Sequence, residues 1–209
     1  MQSFEKVTGI AAPLLDSDVN TDQIAPSSPT EGLHPDYAKM LFHNARRRPD
    51  GSEDPDFVLN QPQFRTPSIL LVGENFGCGS SRESAVWSMM AFGIHCIVAR
   101  SFADIYRENC LKNGILPIVL PPAQAVDLEA SVLQVNGSAP FTADLREQRI
   151  VFPDGREVLF EIPPDERTAL LEGLDDIGIT LQHLDAIESW ESKTGQDKPW
   201  LQEMVDSEA

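Results

Sequence analysis

The sequence predicts an α/β fold in which a parallel sheet carries helices and a further antiparallel β layer. Three apolar runs suited to buried strands alternate with two segments of helical spacing. The runs are residues 68–72, 94–99 and 115–120, and the helical segments are residues 82–92 and 101–114. Such alternation is typical of parallel strands joined by right-handed crossovers. The hairpin predicted over residues 149–162, with Pro153-Asp154-Gly155 at its turn, supplies the antiparallel layer.

The other elements follow from weaker patterns. We expect one strand within residues 4–15, a polar loop over 16–22, a short helix over 36–44, a surface excursion over 46–67 and a helix over 184–190. Ser101 and Asp104 have the spacing of a capping box at the start of a helix that Gly114 ends. Residues 1–190 are expected to form one domain, followed by an acidic and loosely held tail over residues 191–209.

Composition excludes several classes of protein. The chain has 209 residues, of which 41% are hydrophobic, so it can build an ordinary core without disulfide or metal staples. Its formal net charge of −17 repels a phosphate backbone and disfavours nucleic-acid binding. No apolar run approaches the roughly 18 residues of a membrane span, and the first residues lack a signal-peptide pattern. A cytoplasmic protein without nucleic-acid or membrane partners is expected.

The cysteines do not form a metal or disulfide pattern. Cys78, Cys96 and Cys110 are odd in number and widely spaced, and the sequence has no Cys-x-x-Cys motif. We therefore expect no metal bound by this chain, and buried thiols at Cys96 and Cys110. The locally basic residues 46–48 are expected to be a solvated turn.

One segment has the composition of a binding loop. Residues 73–83, Gly-Glu-Asn-Phe-Gly-Cys-Gly-Ser-Ser-Arg-Glu, join a predicted strand to its helix, where open α/β sheets bind ligands. Glycines allow close backbone approach, and a helix N-terminus favours an anion. A P-loop would need a lysine after its last glycine, and a dinucleotide fingerprint would need glycine at position 82. Arg82 instead offers a guanidinium fork that fits a carboxylate.

Plain helix capping would explain part of the same segment. Ser80 and Glu83 have the spacing of a capping box, which requires no function. Capping does not explain Arg82, because a cation in the first turn opposes the helix dipole unless an anion offsets it. From the residues alone, anion binding and capping are about equally supported.

The loop, together with several other segments, resembles the swivel domain of the aconitase superfamily. The further matching segments are residues 7–9, 20–26, 56–60, 101–105, 113–117 and 178–183. Within that superfamily the chain is most similar to the stand-alone small subunits of 3-isopropylmalate dehydratases. The resemblance covers nearly the whole chain and implies a swivelling β/β/α three-layer domain.

The resemblance also implies a reaction that is shared with a second chain. In this family a large subunit holds a [4Fe–4S] cluster that acts as a Lewis acid on a dicarboxylate substrate. Ser80 would then be the catalytic base, Ser81 would assist it, and Arg82 would bind a substrate carboxylate. Asp22 would line the same cleft. The expected activity converts 2-isopropylmalate to 3-isopropylmalate in leucine biosynthesis, and this chain alone should be inactive.

One segment departs from the family pattern. Small subunits of this kind carry a basic and apolar stretch after the Asp-x-Ile-x-Pro element, where this chain has Ser-Ser-Pro-Thr-Glu-Gly at residues 27–32. The sequence therefore does not determine which side chain the substrate carries. A related hydratase or isomerase acting on a methyl-substituted malate or on homoaconitate is an alternative. A nucleotide-binding regulatory module and a non-catalytic assembly role are further hypotheses.

Overall fold

The computed structural model describes residues 1–26, 35–198 and 200. The departure from the family pattern at residues 27–32 lies outside the described residues. The chain divides into two units, residues 1–173 and residues 174–209. We describe each unit by itself.

The first unit contains two sheets and seven of the described helices. Its strands are β1 Lys6–Gly9, β2 Ala11–Leu14, β3 Ile69–Val72, β4 Cys96–Ala99, β5 Leu116–Val119, β6 Phe141–Asp144, β7 Arg149–Val151 and β8 Glu157–Leu159. Its α-helices are α1 Thr21–Ile24, α2 Tyr37–Met40, α3 His43–Arg46, α4 Ser84–Phe92, α5 Asp104–Asn113, α6 Pro122–Val135 and α7 Pro164–Glu172. Two 3₁₀ turns, Val58–Asn60 and Pro62–Phe64, lie in the predicted excursion.

The parallel sheet has the order β2-β3-β4-β5, and every neighbouring pair is parallel. Helix α4 connects β3 to β4, and α5 connects β4 to β5, as predicted. Each helix crosses one face of the sheet and returns the chain to the edge where the preceding strand began. The next strand therefore pairs in parallel with the strand before it. All four carboxyl ends therefore lie along one edge of the sheet.

The antiparallel sheet has the order β1-β6-β7-β8. Its β7–β8 hairpin turns at Pro153-Asp154-Gly155, and the predicted added layer is confirmed. The single strand expected in residues 4–15 is wrong, because β1 and β2 belong to different sheets. Ile10 separates them, and its carbonyl accepts the N–H groups of Ser68 and Ile69 at 3.1 and 3.2 Å.

The two faces of the parallel sheet pack against different layers. One face, with Leu70 and Ile97, joins a core that includes Met89 of α4 and Cys110 of α5. The other face, with Leu71 and Val98 among its residues, packs with the antiparallel sheet and with helices α6 and α7. Alternation along each strand sends neighbouring residues to opposite faces, so fully apolar strands fit a sheet covered on both sides. The predicted three-layer β/β/α arrangement is confirmed.

The region around residues 36–48 differs from its prediction. The expected short helix is two four-residue helices, α2 and α3. Arg46 is not part of a solvated turn, because its guanidinium lies 4.7 Å from the centre of the Phe92 ring and its Nε donates to Asn60 Oδ1 at 3.0 Å. Burial lowers the pKa of Arg46. Arg48 remains exposed and pairs with Asp54 at 3.5 Å.

The second unit consists of helical segments. Helix α8 spans Asp176–Leu181, and α9 spans Leu184–Asp197. The α9 helix continues past residue 190, so the first residues of the predicted tail are helical. Among the described residues, no helix is both long and apolar enough to cross a membrane.

Candidate active site

The candidate site lies at the carboxyl edge of the parallel sheet. We call residues 73–83 the glycine loop and residues 100–103, between β4 and α5, the short junction. The glycine loop is held from both sides by backbone hydrogen bonds. On one side Gly77 N donates to Val19 O and Thr21 N donates to Cys78 O, each at 2.8 Å. On the other side Phe76 N donates to Ser101 O at 3.1 Å. The loop thus has a fixed path between its two neighbours.

Gly77 is required by a close approach. Its φ of +79° lies in the left-handed region, and a Cβ built there would lie 2.1 Å from Cγ of Tyr106. The Tyr106 ring is buried and makes an edge contact with Phe76 at 5.5 Å. The backbone of the loop therefore lies directly on an aromatic ring of α5, which only glycine permits.

Ser80 lies at the centre of a small hydrogen-bond network. Its Oγ is 2.8 Å from Thr21 Oγ1, and it accepts a hydrogen bond from Arg82 Nε at 2.9 Å. Its backbone N–H donates to the same Thr21 Oγ1 at 3.0 Å. Ser80 itself is exposed, so this oxygen is held from the protein side and open on the other. A hydroxyl in such a place is available to a ligand.

Arg82 and Asp22 form an ion pair across the two loops. Arg82 Nη2 donates to Asp22 Oδ1, and the side chains are 38% and 72% exposed respectively. Nε and Nη2 form the side edge of the guanidinium, and they are used by Ser80 and Asp22. Among the described residues Nη1 has no partner. The end edge, Nη1 and Nη2, is therefore the part that can receive a carboxylate from solution.

The structure brings together three of the four predicted site residues. Ser80, Arg82 and Asp22 are linked by hydrogen bonds, although about 60 residues separate Asp22 from the others. The parallel pairing of β2 with β3 brings the two loops to the same edge. Ser81 is adjacent and exposed, and its carbonyl accepts a hydrogen bond from Asn109 Nδ2 at 3.2 Å. That bond fixes the end of the loop to α5.

Neither predicted capping box is formed. Helix α4 begins at Ser84, four residues after Ser80, and its N-cap residue Glu83 makes no capping hydrogen bond. Helix α5 has Ala103 as its N-cap, and Ser101 Oγ instead accepts the N–H of Asn75 at 2.8 Å. Plain capping therefore does not explain Ser80.

The start of α4 offers further hydrogen-bond donors. Within the described part of the chain, the backbone N–H groups of Ser81, Arg82 and Glu83 have no acceptor. Unpaired N–H groups and the positive end of the helix dipole favour an anion nearby. Together with the Arg82 guanidinium, which is paired with Asp22, they are donors that an anion beside Ser80 could use.

Thr21 is a site residue that sequence reasoning missed. It is 1% exposed and is the first residue of α1, directly before Asp22. Asn20 caps this helix with a complete capping box formed with Gln23, so the helix start is fixed. The available sequence signal was the Asn20-Thr21-Asp22-Gln23 segment. Its first and last residues form the capping box, and the two residues between them carry a hydroxyl and a carboxylate.

The prediction of buried thiols at two of the cysteines is confirmed. Cys96 and Cys110 are fully buried, and burial raises the pKa of both thiols. Cys78 is partly exposed in the glycine loop, where its Sγ lies 3.5 Å from Asp18 O. Among residues 1–26, 35–198 and 200, no group of three His, Cys, Asp or Glu side chains could hold a metal ion. The described residues thus offer no set of ligands for an iron–sulfur cluster.

Fold and site together define a class of protein. Residues 1–123, more than half of the chain, match the aconitase C-terminal domain family. Residues 176–203 match the C-terminal domain of the 3-isopropylmalate dehydratase small subunit. The chain belongs to the aconitase superfamily and, within it, to the family of 3-isopropylmalate dehydratase small subunits.

Full-length relatives support the same assignment. The 3-isopropylmalate dehydratase small subunit of Paracoccus denitrificans is 45% identical, with 96% of this chain and all of that protein aligned. The Gluconacetobacter diazotrophicus protein of the same name is 45% identical over 98% of this chain and 99% of its own length. A crystal structure of a 3-isopropylmalate dehydratase from Methanocaldococcus jannaschii shares the fold, with a TM-score of 0.59 at 24% identity. It covers 89% of this chain and 99% of the crystallised one.

Proposed function

We propose that this chain is the small subunit of a 3-isopropylmalate dehydratase, which converts 2-isopropylmalate to 3-isopropylmalate in leucine biosynthesis. The observation that carries this proposal is the exposed Ser80 Oγ held beside the Arg82 guanidinium, on the loop that marks the family. Homologous chains with this name align over nearly their full length. We also propose that the protein is cytoplasmic, as the sequence predicts.

Ser80 is proposed as the base of the elimination. As an alkoxide it takes the proton from the carbon next to a substrate carboxylate. The C–H electron pair forms the double bond as the C–O bond breaks, and the departing hydroxide takes a proton from solvent to become water. Rehydration with hydrogen and hydroxyl exchanged gives the isomer. A serine acts as a base only if its alkoxide is stabilised, and Arg82 Nε already donates to this oxygen at 2.9 Å.

Arg82 is proposed to bind one carboxylate of the substrate. Its end edge presents two N–H groups, which suit the two oxygens of a carboxylate. Asp22 holds the side edge and so keeps the guanidinium beside Ser80. Ser81 is proposed to assist through its exposed position and its N–H group at the same edge. This arrangement would place the carbon next to the carboxylate within reach of Ser80.

The remaining chemistry is proposed to come from a partner. A large subunit would carry a [4Fe–4S] cluster, which supplies a Lewis acid to the substrate's hydroxyl and second carboxylate. An exposed site that is open on one side suits completion by a second chain.

Reconstitution tests the function. The chain should be co-expressed with a cluster-bearing large subunit, and hydration of the alkene diacid should be followed by loss of ultraviolet absorbance. We expect turnover by the complex and none by either subunit alone. Turnover by this chain alone, or an inactive complex with an intact cluster, would contradict the proposal.

The departure at residues 27–32 makes a second substrate a specific alternative. The same complex should be assayed with 2-isopropylmalate, a methyl-substituted malate and homoaconitate. We expect the highest kcat/KM with 2-isopropylmalate. A clear preference for one of the other two would keep the reaction class and change the substrate.

A further inference from the structure

The Thr21 hydroxyl contacts Ser80 twice. Its Oγ1 accepts the backbone N–H of Ser80 at 3.0 Å and lies 2.8 Å from the Ser80 hydroxyl oxygen. The backbone N–H of Thr21 donates to Cys78 O at 2.8 Å, so the residue is itself attached to the glycine loop. Thr21 is 1% exposed, whereas Ser80 is exposed.

The burial of Thr21 decides which hydroxyl donates. A hydroxyl that accepts one hydrogen bond still has a proton to donate, and leaving a buried donor unpaired costs about 1–3 kcal/mol. Among the described residues, Ser80 Oγ is the one acceptor recorded within hydrogen-bond distance of Thr21 Oγ1. Thr21 therefore donates and Ser80 Oγ accepts. The hydroxyl of the exposed Ser80 is left to direct its own proton toward the open side of the site.

Ser80 Oγ thus accepts two hydrogen bonds from fixed donors. One comes from the Arg82 guanidinium and the other from the Thr21 hydroxyl. Both hydrogen bonds strengthen when Ser80 Oγ becomes negatively charged. Hydrogen bonds that are stronger to the alkoxide than to the hydroxyl stabilise the alkoxide. Neither donor needs to move when Ser80 loses its proton to solvent, because both are already in place.

We propose that Thr21 is a positioning residue that stabilises the alkoxide of Ser80. This inference rests on the proposed role of Ser80 as the base. In the reaction the Ser80 alkoxide takes the substrate proton and the C–H electron pair forms the alkene. The C–O bond breaks, and the departing hydroxide takes a proton from solvent to become water. Thr21 keeps its own proton throughout and holds it toward Ser80 Oγ.

The test compares Thr21→Val with Thr21→Ser in the assembled two-subunit enzyme. Valine keeps the shape and removes the hydroxyl, while serine keeps the hydroxyl. For Thr21→Val we expect kcat to fall by about 10²–10³, as for the loss of one preorganised donor, with KM within about threefold. Its kcat should also reach half of its maximum at a higher pH, because the alkoxide is less stable. Thr21→Ser should stay within about fivefold of the wild type.

Two outcomes overturn the proposal. The first is a Thr21→Val enzyme with kcat within about threefold of the wild type. The second is a Thr21→Ser enzyme as impaired as Thr21→Val, with no change in the pH profile, since that indicates a structural role. If Thr21→Val does not assemble, Thr21→Cys replaces it, because a thiol is a much weaker donor than a hydroxyl. Its kcat should then lie well below that of Thr21→Ser.

A measurement without turnover separates this proposal from the proposed function. In the free full-length chain at low temperature, NMR should show a slowly exchanging Thr21 hydroxyl proton that disappears in Ser80→Ala. Absence of that resonance in the wild type, with the Ser80 amide still protected, overturns the assignment of the donor. An inactive wild-type complex with the resonance present instead overturns the function and leaves the Thr21–Ser80 hydrogen bond established.

Discussion

The β3–α4 and β4–α5 connections of the parallel sheet share one sequence spacing and form different structures. The glycine loop contains Ser80 three residues before Glu83, and the short junction contains Ser101 three residues before Asp104. Both spacings predict a capping box, and neither serine caps its helix. Ser101 Oγ accepts a backbone N–H, whereas Ser80 Oγ accepts a guanidinium N–H and remains open to solvent.

The arginines at the two connections use the same atoms for different partners. Arg100 donates from Nε and Nη2 to a single carboxylate, that of Glu129 on α6, at 2.8 and 2.7 Å. Arg82 also donates from Nε and Nη2, but to the Ser80 hydroxyl and to the Asp22 carboxylate. The partners that the fold supplies, more than the motif spacing, therefore distinguish a candidate reactive connection from a structural one.

Replacing the two serines should give the largest contrast. Ser80→Ala removes the proposed base, so we expect kcat of the assembled enzyme to fall by about 10³ or more. Ser101→Ala removes one acceptor for the Asn75 N–H, and we expect activity within about threefold and a loss of about 1 kcal/mol in the free energy of unfolding. Steady-state kinetics and urea denaturation measure the two effects. Turnover of Ser80→Ala within tenfold of the wild type would show that Ser80 is not the base.

The next contrast concerns the backbone of the glycine loop. Gly77→Ala places a methyl group against the buried Tyr106 ring and forces alanine to a φ of +79°. We expect the free energy of unfolding to fall by about 3–4 kcal/mol, from the left-handed conformation plus the clash. Gly155→Ala is the matched control, because its φ is +87° and nothing lies within 4 Å of the added Cβ. That variant should lose only about 1–2 kcal/mol. Equal losses in urea denaturation would mean that the loop does not rest on the ring.

Replacing the two arginines by lysine should have a smaller effect. A single ammonium at position 82 cannot reach Ser80, Asp22 and a substrate carboxylate together. We expect Arg82→Lys to lower kcat/KM by about 10², the equivalent of one strong charge-assisted interaction. Arg100→Lys should stay within about threefold, because its partner is Glu129. Similar losses in both variants would place Arg100 in the site and contradict the distinction drawn above.

The sequence predicted the core of the fold because its central strands are wholly apolar. Strands β3 and β4 are buried throughout, and β5 is buried except for Val119 at its end. Such apolar strands are recognisable without tertiary information. No element was predicted for residues 122–135, where helix α6 lies. Pro121 and Pro122 do not exclude a helix there, because proline is compatible with the first turn of a helix. Its buried residues Ala125, Leu128 and Val132 had helical spacing that could have indicated it.

The site was predictable only in part. Ser80 and Arg82 are two residues apart and form a local pattern, but their link to Thr21 depends on the pairing of β2 with β3. Residues 20–23 have the pattern of a capped helix start, but that pattern does not indicate the role of Thr21, because the role depends on which acceptor the fold brings near its hydroxyl. The capping predictions failed because the spacing does not specify where a helix begins: α4 begins at Ser84 and α5 at Asp104, each later than the predicted box requires.

The cysteines provide the smallest expected contrast, and it depends on pH. Cys78 lies in the glycine loop, whereas Cys96 on β4 and Cys110 on α5 are buried on either side of the short junction. Burial raises the pKa of both buried thiols. In the unfolded chain a thiol has a pKa of about 8.5. Above that pH the unfolded chain binds fewer protons than the native chain, so the free energy of unfolding falls as the pH rises.

From pH 8 to pH 9 the two buried thiols together should lower the free energy of unfolding by about 1.4 kcal/mol. Cys96→Ala should reduce this pH dependence by about half, because one of two equivalent titrations is removed. Urea denaturation at several pH values measures the slope. An unchanged slope in Cys96→Ala would mean that the Cys96 thiol ionises equally well in the folded and the unfolded chain.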